Sequence, residues 1–221
     1  MTSSDLKIVA CITMVLDHIG VLLFPEFIIL RIIGRVSFPI FCFLLVEGYF
    51  HTSNIKKYLI RLALFALISE IPFDLAFTNT LFYLKHQNVF FTLFFGMLSI
   101  HLYDNYKKNN PFSFIYILLF IVINYFFYSD YGAIGIIMIF GFYLLRGKFV
   151  RLTLFVMTLV IVTFFWQLLS AKYMLSSVLV QLFQIGSLPL IYFYTGSRGL
   201  KIKKFFYGFY PIHLLILYNI K

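Results

Sequence analysis

Acidic side chains are scarce in this chain. Eight Asp and Glu stand against eighteen Lys and Arg, and charged residues of all kinds make up only 12% of its 221 residues. So thin a polar complement cannot solvate the surface of a soluble domain of this size, which excludes an ordinary water-soluble fold. Cysteine is nearly absent. Cys11 and Cys42 each sit inside an apolar run, where a thiol acts as a small hydrophobe, so neither a disulfide scaffold nor a thiolate metal centre is expected. No repeat at a fixed period stands out, and no low-complexity linker divides the chain. No long polar stretch divides the sequence, so one domain over residues 1–221 is expected. No small-residue cleavage site follows the first apolar run, and that run is expected to remain as a membrane segment.

Apolar side chains fill the place of the missing charge. Hydrophobic residues are 62% of the chain, with thirty Phe and sixteen Tyr, and the mean hydropathy is +0.96. A bilayer solvates such a chain directly, and crossing ~30 Å of hydrocarbon takes ~17–25 apolar residues in a helix. Nine segments qualify: Leu6–Phe24, Phe27–Tyr49, Tyr58–Phe77, Val89–Tyr106, Phe112–Tyr128, Gly132–Leu145, Val150–Ser170, Met174–Tyr194 and Phe205–Ile220. The expected fold is therefore an all-α, polytopic membrane helix bundle of about nine transmembrane helices in a bacterial cytoplasmic membrane.

The net charge of +10 then sets orientation and does not point to nucleic acid, because no compact soluble module is left to present a basic face. One side collects Lys7; Lys56, Lys57 and Arg61; Lys107 and Lys108; Arg146, Lys148 and Arg151; and Arg198, Lys201, Lys203 and Lys204. The other collects only Lys85, Lys172 and Lys221. The basic side faces the cytoplasm by the positive-inside rule, which puts the N-terminus inside.

Against this background the stretch Leu6–His51 stands out, since it carries Lys7, Asp17, His18, Arg31, Arg35 and Glu47 in or beside apolar sequence. A charge at bilayer depth costs at least ~2.5–3.5 kcal/mol, so such groups usually face a polar interior and work there. Lys7, Cys11, Met14 and His18 share one helical face. At 1.5 Å per residue His18 lies ~16 Å beyond Lys7, past the midplane. Histidine is the side chain suited to proton exchange near neutral pH. The competing role, a purely structural histidine, is weighed lower because Asp17 adjoins it and two arginines follow. Asp17 points ~100° away from His18 and is expected to pair with Arg31 or Arg35 across the tight turn at Phe24–Glu26. Those arginines, four residues apart, point the same way and suit an anionic ligand, a carboxylate or a developing oxyanion.

Further along, Glu47 and His51 form another pair four residues apart. The run SEIPFD groups Ser69, Glu70, Pro72 and Asp74, two carboxylates able to take an amine or to meet Arg31 and Arg35. Asn88, Thr92 and Gly96 share a stripe suited to polar contact or close packing. FYPIHL brings Tyr210, Pro211 and His213 into the last apolar run, making His213 the second intramembrane histidine of interest. Pro39, Pro72, Pro189 and Pro211 are candidate kinks. Five histidines in five separate segments do not form a metal-ligand pattern, and no metal is expected.

Taken in order, LKIVACITMVLDHIG, LRIIGRVSFPIFCFLLVEGYFHT, RLALFALISEIPFD, NVFFTLFFG and FYPIHLLIL resemble the TraX family. That family is named for the conjugation protein that acetylates the N-terminal amine of F-type pilin. A wider similarity is to membrane acyltransferases that O-acetylate surface glycans. These carry a basic residue and a histidine with ten residues between them, the spacing of Lys7 and His18. They place a Ser-Gly where this chain has Glu47-Gly48. The resemblance implies acetyl-CoA as donor and an acceptor that is an exported, pilin-like protein or a glycan. His18 would then be the base, with Arg35, Arg31 and Asp17 in the catalytic group. Lys7 would hold the CoA phosphates, Glu47 would line the donor path, and Glu70, Asp74 and His213 would contact the acceptor. Two other classes compete: a proton-coupled transporter and a structural subunit of an envelope or conjugation apparatus. A transporter should show matched halves, whereas the ionisable residues here crowd into the first third.

Overall fold

The structure is a computed structural model that describes residues 1–170, 175–200 and 203–221, with 203–205 as backbone only. Lys172, Lys201 and Met174, used above for orientation and for the start of the eighth segment, lie outside the described residues, as do the side chains of Lys203, Lys204 and Phe205. Among the described residues the chain is all-helical, with a single strand-like bridge between Gln87 and Ser129.

Helices occupy every expected segment, in the order α1 (Ser3–Leu22), α2 (Ile28–Gly34), α3 (Ser37–His51), α4 (Ile55–Thr78), α5 (Val89–Tyr106), α6 (Ile115–Phe127), α7 (Gly132–Leu144), α8 (Phe149–Leu169), α9 (Leu175–Val180), α10 (Ser187–Tyr192) and α11 (Lys203–Ile220). A 3-10 stretch, Gln181–Gly186, joins α9 to α10. Three described spans are long and apolar enough to cross a membrane: Ile28–His51, Phe149–Leu169 and Leu175–Tyr192. Helices α1 and α4 are comparably long, at 20 and 24 residues, but carry ionisable groups along their length. In α1 these are Asp5, Lys7, Asp17 and His18; in α4 they include Lys56, Lys57, Arg61, Glu70 and Asp74.

Two of the four candidate prolines interrupt their helices. A proline ring clashes with the carbonyl four residues back and offers it no N–H. For Pro39 that residue is Arg35, and the helix is broken there, between Gly34 and Ser37. For Pro189 it is Ile185, inside the 3-10 stretch. Pro72 and Pro211, by contrast, sit within the unbroken helices α4 and α11.

The described chain forms two compact units, Met1–Leu44 with Leu145–Lys221, and Leu45–Leu144. In the first, α1 packs against α2 and α11, α8 against α9 and the 3-10 stretch, and α2 against both of those. Glycines allow the α1–α2 approach: a Cβ on Gly20 would come within 2.9 Å of Leu30 Cβ, and one on Gly34 would overlap the Asp17 side chain. The start of α1 is fixed by a capping box. Thr2 accepts from the Asp5 N–H, and Asp5 accepts from the Thr2 N–H at 2.8 Å. These bonds hold the Asp5 carboxyl below its ordinary value.

In the second unit α5 packs against α4, α6 and α7. Gly96 faces Ile139 of α7, and Thr92 donates to the Asp130 carbonyl, so the stripe foreseen on α5 serves packing and polar contact together. The loop between α4 and α5 is pinned from both sides. Tyr83 N–H donates to Asp74 Oδ2 at 2.7 Å, Gln87 N–H to the Tyr128 carbonyl at 3.0 Å, and Asp130 N–H to the Gln87 carbonyl at 2.8 Å.

His86 of this loop lies 3.9 Å from Asp130 Oδ1. The Asp130 carboxylate, first of all, holds the imidazole above the ordinary histidine value; burial opposes it, and the charges of Asp130, Glu70 and Asp74 assist. A histidine whose value is raised by folding stabilises most below its unfolded value of about 6.5, and the contribution fades as pH climbs through the folded value. The melting temperature in detergent is therefore expected to fall as pH rises from below about 6.5 through the raised folded value. His86→Gln should flatten that dependence and lower the melting temperature on the acid side only. An unchanged slope in the variant would remove His86 from this role.

Candidate functional site

Asp17, Arg31 and Arg35 form a clamp in the first unit. Arg31 Nε donates to Asp17 Oδ1 at 3.0 Å, while Arg35 Nη2 donates to Asp17 Oδ2. The i, i+4 spacing and the short turn after α1 thus bring both guanidiniums to one carboxylate, an oxygen for each. Gly34 lies between the arginines in sequence, and its missing Cβ is what lets α2 close onto Asp17. The clamp is dry at its inner end: the side chains of Arg35 and Asp17 are 8% and 12% exposed, whereas Arg31 is 31% exposed. Glu70 and Asp74, expected as alternative partners for these arginines, have their own bonds within the second unit.

His18 and His213 meet although 195 positions separate them in the chain. His18 Nδ1 lies 2.7 Å from His213 Nε2, with the rings 4° from parallel and their centroids 5.0 Å apart. So short an N···N distance between near-parallel rings at that separation means that the imidazoles meet edge to edge and share a proton between ring nitrogens. The tautomers follow. His213 Nδ1 is 2.9 Å from the Phe209 carbonyl, which can only accept, so Nδ1 carries hydrogen and the Nε2 of a neutral His213 accepts. His18 must then donate from Nδ1, which leaves its basic lone pair on Nε2. His213 is 6% exposed and stacks on Phe209, ring planes 17° apart, while Tyr210 stands edge-on to both histidines. An oriented base of fixed tautomer is what general-base chemistry requires.

The remaining predicted residues fall at distinct places. Lys7 Nζ sits over the Phe206 ring of α11, 5.6 Å from its centroid, in the first unit. Glu47 is in the second unit, buried, with His51 Nδ1 2.8 Å from its carbonyl and 3.8 Å from Oε2. Glu70 Oε2 accepts from both the backbone and the side-chain amide of Asn88, the residue that caps α5. Asp74 accepts from Tyr83 N–H. Among the described residues no group of three or more His, Cys, Asp and Glu could hold a metal ion.

Sequence reasoning named His213 as a contact for an acceptor, not as the partner of His18. It also passed over Asp104. That carboxylate accepts from Tyr49 at 2.8 Å and from Tyr143, with Lys107 Nζ 2.5 Å away, a fully satisfied tie between α3, α5 and α7. The i, i+3 spacing of Asp104 and Lys107 was the available signal. Gln184, buried in the 3-10 stretch, offered none.

Comparison with known proteins gives a family. The profile described as TraX protein matches residues 2–221. A probable fimbrial assembly protein FimC of Dichelobacter nodosus, serogroup H1, is 30% identical over 98% of this chain and 94% of its own length. An uncharacterized protein of Rickettsia prowazekii (strain Madrid E) is 34% identical over 62% of this chain and 53% of its own length. No solved structure matches.

Proposed function

We propose that this chain, which belongs to the TraX protein family, is a multi-pass membrane acetyltransferase. In this reading it moves acetyl from acetyl-CoA to an acceptor amine, such as a pilin-like N-terminus, or to a hydroxyl, at the outer side of the cytoplasmic membrane. The observation that carries the proposal is the hydrogen-bonded His18–His213 pair, whose tautomers put a basic lone pair on His18 Nε2. The fimbrial-assembly name of the Dichelobacter relative supports a pilus-related acceptor. Nine crossings with the N-terminus inside agree with the helix positions and the one-sided distribution of Lys and Arg.

The acceptor nitrogen or oxygen attacks the thioester carbonyl carbon as its proton passes to His18 Nε2. The charge that His18 gains strengthens its Nδ1–H bond to neutral His213. The tetrahedral oxyanion is met by a guanidinium of the Asp17 clamp, with Arg35 the drier donor. The C–S bond then breaks, and the departing CoA thiolate takes the proton back from His18. Lys7, at the cytoplasmic end of α1, contacts the CoA phosphates.

Reconstituted protein supplied with labelled acetyl-CoA should transfer label to a peptide bearing a free pilin-like N-terminal amine, and should not label the same peptide with its amine blocked. A mass-spectrometric comparison of cell envelopes with and without the protein should reveal a lost acetyl group. Folded protein that labels neither amines nor hydroxyls, together with unchanged envelopes, would dismiss the enzyme reading.

A further inference from the structure

Both proline-linked interruptions lie in the first unit, and they touch. A Cβ on Gly186, at the end of the 3-10 stretch, would stand 3.3 Å from Val36 Cγ2, in the break between α2 and α3. Helix α2 also packs on α9 and on the 3-10 stretch itself. Irregular backbone at membrane depth persists where it is buried in protein or lines a polar interior, and paired interrupted helices are a common setting for ligand sites.

Within the 3-10 stretch the buried polar side chain is Gln184, 5% exposed. Its Nε2 donates to Gln181 Oε1 at 2.9 Å, and its backbone carbonyl accepts from Ser187 Oγ at 2.7 Å. Its own Oε1, fully buried, accepts from no described residue. A buried acceptor left without a donor costs ~1–3 kcal/mol, so such an atom calls for a donor that arrives from elsewhere. Turning over both carboxamides would only exchange the orphan oxygen for an orphan amide N–H.

We infer that Gln184 Oε1 receives an amide N–H of the acyl donor's pantetheine-like arm. This inference rests on the acetyl-CoA reading above and adds a substrate contact to it. An ammonium group would be drawn to a carboxylate. A neutral carboxamide oxygen in an apolar segment instead matches a neutral N–H that must leave water to reach the site. The donor's arm is built from such amides, and each one buried without an acceptor carries a penalty of ~2–7 kcal/mol. Gln184 is thus a binding residue for the donor, one residue before Ile185, which lies four positions ahead of Pro189.

The test uses the full chain in proteoliposomes with two acetyl thioesters of equal length, S-acetyl-N-acetylcysteamine and an alkyl analogue lacking the amide. Wild type should prefer the amide-bearing donor in kcat/KM by ~10-fold, the worth of one hydrogen bond. Gln184→Met, close in length and without a strong acceptor, should erase that preference by weakening the amide donor alone. Equal loss on both donors would mark Gln184 as structural, and no preference in wild type would leave an ordered water as its only partner; either result overturns the inference. Thermal stabilisation by desulfo-CoA, which cannot react, provides a readout independent of catalysis. Gln184-dependent stabilisation without acetyl transfer would keep this contact and sink the transferase reading. Transfer without Gln184 dependence would do the opposite, and the loss of both signals would remove both.

Discussion

His18→Ala is expected to lower acetyl transfer in proteoliposomes by ~10²–10⁴-fold, the usual worth of a positioned general base. The melting temperature should fall only modestly, since buried His213 loses the donor to its Nε2 while the Asp17 clamp that ties α1 to α2 is untouched. His213 should behave differently, since it acts through His18. In His213→Leu the acceptor for His18 Nδ1–H is gone, and with it the preference for a lone pair on Nε2. His213→Gln restores a carbonyl oxygen able to accept that N–H. Leucine is therefore expected to be severely impaired and glutamine to recover part of the rate, mainly in kcat. A base without need of orientation predicts equal activity in the two variants. Full transfer by a folded His18→Ala protein would end the proposed mechanism altogether.

How much of this was legible in the sequence differs between elements for physical reasons. Helix positions were legible because apolar runs of spanning length have few alternative structures, and α5 falls on the expected Val89–Tyr106. The Asp17 clamp was legible because its parts lie within 18 positions of one another: a carboxylate near the end of one helix, a tight turn, and two arginines one helical turn apart. Prolines were legible only as possibilities. Pro39 and Pro189 break their helices, while Pro72 and Pro211 carry the same local signal in continuous ones. What decides between the two outcomes is the packing around the displaced carbonyl, and helical periodicity does not encode that. The His18–His213 bond joins the two ends of the chain, and no spacing rule reaches across 195 positions. Gln184 was illegible for the opposite reason. A glutamine in an apolar segment looks ordinary until the structure shows that its oxygen accepts from no described residue.

Asp17→Leu is the substitution expected to cost the most stability. It strips the carboxylate from two guanidiniums at once, and removing one partner of a buried ion pair typically costs ~3–5 kcal/mol. Most of that penalty comes from Arg35, since Arg31 is 31% exposed and can turn toward the headgroups. The larger side chain would also press on Gly34, where even a Cβ would overlap residue 17. A melting temperature lowered well beyond that of any single surface variant is the expected result in detergent. Instability alone would not separate a catalytic clamp from a purely structural one. The triple variant Asp17→Leu, Arg31→Met, Arg35→Met makes that separation, with Gly34 kept. Apolar replacement of a whole buried ionic group is often neutral or even stabilising by ~1–4 kcal/mol, so the triple should regain much of the fold that Asp17→Leu loses. Transfer should not return with it, because the loss of an oxyanion donor takes ~10²–10³-fold from kcat. A triple variant that melts like wild type and acetylates at the wild-type rate would show that these charges only hold α1 to α2, as in a structural subunit. If the fold returns and the rate does not, Arg35 has a task in the reaction beyond that of holding Asp17.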